Sequence, residues 1–230
     1  WFYETMLESY LPILQVLRRL EDAAIPGKIT ISLSSTLLAM MSDRMLLQRF
    51  EQYLENVVTL ADAEVLRRRN DPDYSLAAEF YKGRMASLKS FYIDDIDRNL
   101  LQEFGRLSDS GRIELITTAG THALFPLMHL VSSRRAQVKA ATDYFELLFG
   151  DRPKGIWLPE CGFTSGVDGL LAEQGVVFSV VEGTAIRHAS STPVYGNYSP
   201  LVTPEGVAFF GRDELVRSQI WDPEGYSSDP

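Results

Sequence analysis

The sequence is poor in cysteine. Its 230 residues hold one thiol, Cys161, so no internal disulfide framework can form. It is short of positive charge as well: 22 Lys and Arg stand against 31 Asp and Glu, a net charge of −9. Such a surface repels nucleic acid and anionic membranes, which are bound by basic residues that neutralise phosphate. No run of about 18 apolar residues occurs that could span a bilayer. Neither nucleic acid nor a membrane is expected as a partner, and one reduced cysteine fits a cytoplasmic setting. The chain also lacks GxGxxG, GxxxxGK[ST] and GxSxG, so nucleotide phosphates and a serine nucleophile elbow have no support. Its three histidines fall in neither HxH nor HExxH spacing, which argues against zinc. There is no internal repeat and no low-complexity tract.

What is present suits a globular protein: 45% hydrophobic, 23% charged and 11% aromatic residues. The aromatic share fits either a ring-lined pocket or bulky core packing. Apolar residues at helical spacing (Met6, Leu7, Tyr10, Leu14, Leu17) predict a helix over 1–23, with Pro12 as a possible kink. KITISL (28–33) reads as a strand, and a short helix is expected over 36–42. Residues 43–104 read as helical almost throughout. Asp43 caps one helix to about Arg69, Asn70-Asp71-Pro72 breaks it, and a second runs from about Ser75 to Gly105. Beyond that, strands at 112–117, 155–158, 176–182 and 207–213 alternate with helices at about 124–131, 133–149 and 166–174. A long loop is expected over 183–205. This order argues for a parallel sheet or barrel.

In such architectures the working residues lie past the C-terminal ends of the strands. Those ends carry Thr118 to His122, then Pro159-Glu160-Cys161, then Glu182-Gly183, then Gly211-Arg212-Asp213. Glu160 is either a capping or surface carboxylate or the reason its strand is aimed where it is. Pro159 and Gly162 on either side favour the second reading, because they fix the backbone around a charge. His122 is a structural imidazole or a hydrogen-bond partner for a substrate hydroxyl. Cys161 reads as a small buried filler. His129, among Leu127, Met128, Leu130 and Val131, reads as helix packing, and His188 is uninformative. Glu182 and Asp213 can line a pocket or pair with Arg187 or Arg212.

These residues carry a resemblance. GIWLPECGF (155–163) resembles the nucleophile segment of glycoside hydrolase family 57, and GRIELITTAGTHALFP (111–126) resembles the family's preceding motif, a strand ending in Thr-His. WFYETMLESYLPIL and KITISLSSTLL are similar to the family's first barrel helix and next strand. FFGRDELVRSQIWDPEGY (209–226) is similar to a stretch typical of the family's α-1,4-glucan branching enzymes.

The resemblance implies an α/β fold, a distorted (β/α)7 TIM-like barrel with a helical insertion at about 43–105. It implies retaining transglycosylation on α-1,4-glucan (amylose, glycogen) with no cofactor, as in glycogen biosynthesis. Glu160 would be the nucleophile, with His122, Trp221, Cys161 and Asp213 toward substrate. The family's general acid/base aspartate is expected beyond residue 230 and its first motif before Trp1. The chain therefore reads as part of a catalytic barrel, incomplete at both ends, and is expected to be inactive and poorly stable alone. The readings next in order are an α-amylase or 4-α-glucanotransferase of the same family, a non-catalytic glucan-binding relic, and a metal-dependent deacetylase.

Overall fold

The computed structural model describes residues 1–191 and 193–222. In chain order the elements are α1 (Phe2–Thr5), a π-helical turn (Met6–Tyr10), α2 (Leu11–Asp22), β1 (Ile29–Ser32), α3 (Ser35–Ser42), α4 (Arg44–Arg68) and α5 (Ser75–Ser90). A second π turn (Phe91–Asp95) precedes α6 (Leu100–Asp109), β2 (Ile113–Thr118), α7 (Val131–Phe149), β3 (Gly155–Trp157) and α8 (Val167–Glu173). β4 (Phe178–Glu182), α9 (Gly183–Arg187), β5 (Leu201–Val202), β6 (Ala208–Arg212) and α10 (Glu214–Trp221) complete the described chain. None of the helices among the described residues is long and apolar enough to cross a membrane.

The chain divides into two compact units, one of residues 1–29 and 38–114, the other of 30–37 and 115 onward. The first is helical. Pro12 has no N–H to give to the preceding turn, and the first helix adapts by widening to a π turn just before it: Leu11 N–H bonds to the Met6 carbonyl. α2 ends in a Schellman motif. Ala24 N–H bonds to Glu21 O, Ile25 N–H bonds to Leu20 O, and Ala24 takes a left-handed φ of 53°. Asp43 caps α4 by accepting from the N–H groups of Met45 and Leu46, both at 2.9 Å. The expected continuous helix from 75 to 105 is broken. The left-handed Asp97 and Arg98 reverse the chain, and Asn99 caps a separate α6 through Gln102 N–H. One capping side chain and a two-residue left-handed turn outweigh helical periodicity there. The unit's core is aromatic: Phe50 and Tyr92 are fully buried and meet edge to face at 5.0 Å, with Tyr3 and Tyr53 against Phe50.

The second unit holds most of the sheet, in the order β1-β2-β3-β4-β6-β5. β2, β3, β4 and β6 pair in parallel, and β5 lies antiparallel on β6. β1 meets β2 in step, Ile29 N–H to Arg112 O and Leu33 N–H to Ile116 O. The core beneath consists of Ile156, Leu158, Val181, Phe209, Leu171 and Val138, all buried. Buried hydroxyls bond carbonyls of the neighbouring strand or its end: Thr117 to Leu33 O, Thr118 to Trp157 O and Ser179 to Ile156 O. Gly155 is needed for close approach, since a Cβ there would sit 2.3 Å from the Phe178 ring and 2.8 Å from Ile116 Cγ2.

Two further expectations are corrected. The stretch 124–131 is a single 3-10 turn (Phe125–Leu127) followed by extended chain, because Pro126 starts the turn and Leu124, Met128 and Leu130 are extended. His129 therefore packs on no helix face and is exposed. The expected loop over 183–205 contains α9, a 3-10 turn (Gly196–Tyr198) and β5.

Candidate active site

β3 ends at Trp157, and Leu158 is buried below the turn that follows. Pro159, Glu160 and Cys161 form one 3-10 turn, closed by Cys161 N–H to Leu158 O at 2.8 Å and Gly162 N–H to Pro159 O at 3.0 Å. Glu160 and Cys161 both lie in the left-handed region, at φ 51° and 53°. Each such non-glycine position costs about 1–3 kcal/mol, and such strain clusters at functional sites. The buried residues on either side, Pro159 and Cys161, hold the turn, while the Glu160 side chain is 79% exposed. The carboxylate is carried up by a strained backbone and left open.

β2 supplies the second group. Past Thr118 the chain turns tightly, with His122 N–H on Ala119 O at 2.8 Å, and His122 is left-handed too, at φ 56°. Gln137 of α7 clamps this turn. Its carbonyl accepts Gly120 N–H at 3.0 Å, and its side-chain Oε1 accepts Thr121 N–H at 2.8 Å. The His122 ring is fixed by Thr118, whose Oγ1 lies 3.2 Å from Nδ1. Nε2 then lies 3.9 Å from Glu160 Oε1. Two adjacent parallel strands thus bring an imidazole and a carboxylate to one rim.

The other sequence-selected residues have defined surroundings. Cys161 is buried, and burial first of all pushes its thiol up; Arg212 opposes that shift, while Glu182 and Glu160 add to it. It is held as a protonated thiol in the packing. Glu182 and Arg212 are register partners on β4 and β6, and Arg212 Nη2 donates to Glu182 Oε1. Arg187 pairs instead with Glu214. Asp213 caps α10 by accepting Val216 N–H at 2.9 Å. Trp221 ends α10 and is largely exposed. Trp157 is half-buried next to the turn.

Sequence reading missed three contributors. Thr118 was read only as part of the turn after its strand. Gln137 gave no signal, because its role depends on α7 lying against the 119–122 turn. Phe163 is a partly exposed ring three residues past Glu160, held edge-on to Phe209 at 5.4 Å. The left-handed backbone at His122 and Glu160 has no residue signature either, since glycine would be the usual marker. Gly162 has one: a Cβ there would lie 2.7 Å from Leu124 Cδ1 and 3.1 Å from Pro126 Cδ, so the 124–126 segment can pack directly against the turn.

An exposed carboxylate and an imidazole at the C-terminal rim of parallel strands suit attack on a neutral substrate's electrophilic carbon. The match to known proteins defines the class. The family model of Glycosyl hydrolase family 57 covers residues 1–221, and the chain belongs to that family. Its alternation of parallel strands and helices agrees with the family's (β/α)7 barrel class.

Individual relatives divide between two activities. The chain is 26% identical, over its whole length, to 37% of a 1,4-alpha-glucan branching enzyme of Thermococcus kodakarensis. It is 28% identical, over 98% of its length, to 44% of a probable 1,4-alpha-glucan branching enzyme of Mycobacterium tuberculosis. Among solved structures, the alpha-amylase AmyC of Thermotoga maritima superposes with a TM-score of 0.93 at 32% identity, over all of this chain and 44% of that one. The GH57-type branching enzyme of Pyrococcus horikoshii gives 0.88 at 28%, over all of this chain and 45% of that one. The chain thus spans less than half the length of each of these relatives.

Proposed function

We propose that this chain carries the nucleophile half of a retaining α-glucan-active site, and that the protein it belongs to is a 1,4-α-glucan branching enzyme. The observation that carries the reading is Glu160: a left-handed residue at the end of a parallel strand, its carboxylate exposed and 3.9 Å from His122 Nε2. Glu160 attacks the anomeric carbon of an α-1,4-linked glucose, forming a glucosyl-enzyme while the departing chain takes a proton from a second carboxylic acid. A 6-hydroxyl of an acceptor chain then displaces Glu160 and retains the α configuration. His122 and Trp221 contact sugar, and Phe163 adds a second ring. The second carboxylate must stand about 5 Å from the first. Glu182 and Asp213 are not assigned that role, because one is bound to Arg212 and the other to the N-terminus of α10. Cys161 packs beneath the turn and shapes the site without touching the reaction.

The branching reading is supported by the branching enzymes among the relatives and by the resemblance in segment 209–226, of which 223–226 lie outside the described residues. A second reading, an α-amylase, is favoured by the higher identity and TM-score to the Thermotoga amylase. The test uses the full-length gene product and its Glu160→Gln variant on amylose, with α-1,6 linkages counted by proton NMR and reducing ends measured in parallel. New branches from wild type that fall by about a thousandfold in the variant support the branching enzyme. Reducing ends without branches, equally dependent on Glu160, support the amylase. Turnover that is unchanged in Glu160→Gln removes the nucleophile assignment.

A further inference from the structure

We infer that Thr118 is a positioning residue that fixes the tautomer of His122, holding a proton on Nδ1 and leaving Nε2 as a hydrogen-bond acceptor in the neutral ring. The inference follows from counting protons. A threonine hydroxyl has one. Thr118 Oγ1 lies 2.7 Å from the Trp157 carbonyl oxygen, which can only accept, so the hydroxyl proton is committed there. The same oxygen lies 3.2 Å from His122 Nδ1. That contact is a hydrogen bond only if Nδ1 carries the proton and donates it. Thr118 is 3% exposed, so water does not compete for the oxygen, and the two bonds close a fixed chain from His122 through Thr118 to β3. A carbonyl two residues before the 159–161 turn thereby orients the imidazole that faces Glu160.

The consequence is directional. Nε2 points at the carboxylate, but 3.9 Å is too long for a direct hydrogen bond. A neutral Nε2 offers a lone pair, and so does the carboxylate. The pair therefore presents two acceptors side by side, suited to hydroxyl donors next to the carbon under attack. This deepens the proposed glucan chemistry and rests on it for the identity of the donor, a sugar hydroxyl. The tautomer itself does not depend on that reading.

The first test is on the wild-type full-length protein. Histidine ring 15N shifts, with the His122 signals assigned by loss in His122→Gln, report which nitrogen is protonated. A protonated Nδ1 and a bare Nε2 in the neutral ring are expected; the opposite tautomer overturns the inference, whether or not the protein turns over glucan. The second test compares Thr118→Val and Thr118→Ser. Serine keeps the hydroxyl and is expected to preserve both the tautomer and turnover. Valine is expected to let the ring populate both tautomers and to lower kcat/KM on amylose by about five- to tenfold, the worth of one lost hydrogen bond. If valine leaves the 15N pattern and kcat/KM unchanged, Thr118 does not position the ring. If serine fails to restore a loss seen in valine, the effect is packing and the inference also fails. Absence of any turnover in wild type, with the expected tautomer, sinks the glucan reading and leaves this one standing.

Discussion

The two units use the same rare backbone conformation for different ends. In the helical unit the left-handed non-glycine residues are Ala24, Asp97 and Arg98, and each lies where a helix stops or the chain reverses. Among the described residues of the strand unit they are His122, Glu160 and Cys161, each just past the end of a parallel strand. Ala24 sits inside a Schellman motif whose geometry explains it fully. No helix end explains Glu160. The turn that holds it leaves a charged side chain exposed, and a cheaper sequence would place glycine there. Strain that terminates a helix is architecture, whereas strain that presents an exposed carboxylate past a parallel strand is the feature on which the proposed nucleophile role rests.

That contrast can be broken or sharpened, most strongly by removing function from one unit alone. Glu160→Gln should lower turnover by about a thousandfold and leave the melting temperature of the full-length protein unchanged, because the side chain is open to solvent. A large loss of stability would mean that the carboxylate is structural.

Next in size are the two cores. Phe50→Ala empties a fully buried aromatic site and should cost ~3–5 kcal/mol. Gly155→Ala forces a methyl into the Phe178 ring and Ile116, at an expected ~1–3 kcal/mol. Urea unfolding gives the totals, and limited proteolysis locates them. Phe50→Ala should open cleavage within 38–114 and Gly155→Ala within 115–222. If both variants open the same segments, the units do not unfold separately.

A smaller, stabilising effect is expected from Ala24→Gly. Glycine is the usual residue at that position of a Schellman motif, and the change should add about 1 kcal/mol with turnover unaffected. A decrease in the urea midpoint would show that the left-handed φ is not strained.

The smallest effect is electrostatic. In the helical unit the carboxyl of Glu21 is held below its ordinary value of 4.5, chiefly by its hydrogen bond from Arg106 and next by Ser110. Because the folded value is the lower one, Glu21 contributes stability above its unfolded value, and that contribution is lost as pH falls through the folded value. The urea-midpoint difference between wild type and Glu21→Gln should therefore shrink as pH falls below the ordinary carboxyl value of 4.5. A difference that stays constant with pH would mean that the Arg106 link carries no net stability.

Much of the helical unit was legible because its signals are local. Asp43 and the 70–72 break act within a few residues, and the structure places α4 and α5 on either side of that break. The miss at 96–99 has the same cause in reverse: Asn99 is as good a cap as Asp43, but apolar periodicity continues through it. In the strand unit the parallel strands were readable from β-branched and aromatic runs. Residues 124–131 were not, since an apolar stretch of that length suits a helix or extended chain equally, and Pro126 decides between them only once the chain is folded.

For the site, sequence alone determined which groups stand at the strand ends: His122 four residues past Thr118, and Glu160 between proline and cysteine. The positions of the parallel strands, and with them the residues past their C-terminal ends, follow from hydrophobic pattern, whereas the strand order and the edge strand β5 emerge only in the folded sheet. Tertiary structure decided which groups remain available. Parallel register set Arg212 beside Glu182, helix geometry turned Asp213 to the N-terminus of α10, and packing of α7 brought Gln137 onto the 119–122 turn. It also placed Trp157 O within reach of Thr118 and so spent that hydroxyl's single proton. Hydrogen-bond partners distant in sequence are fixed only when strands pair. For that reason the place of Glu160 at a strand end could be read from residues, while its exposure and its distance to His122 are set by the fold.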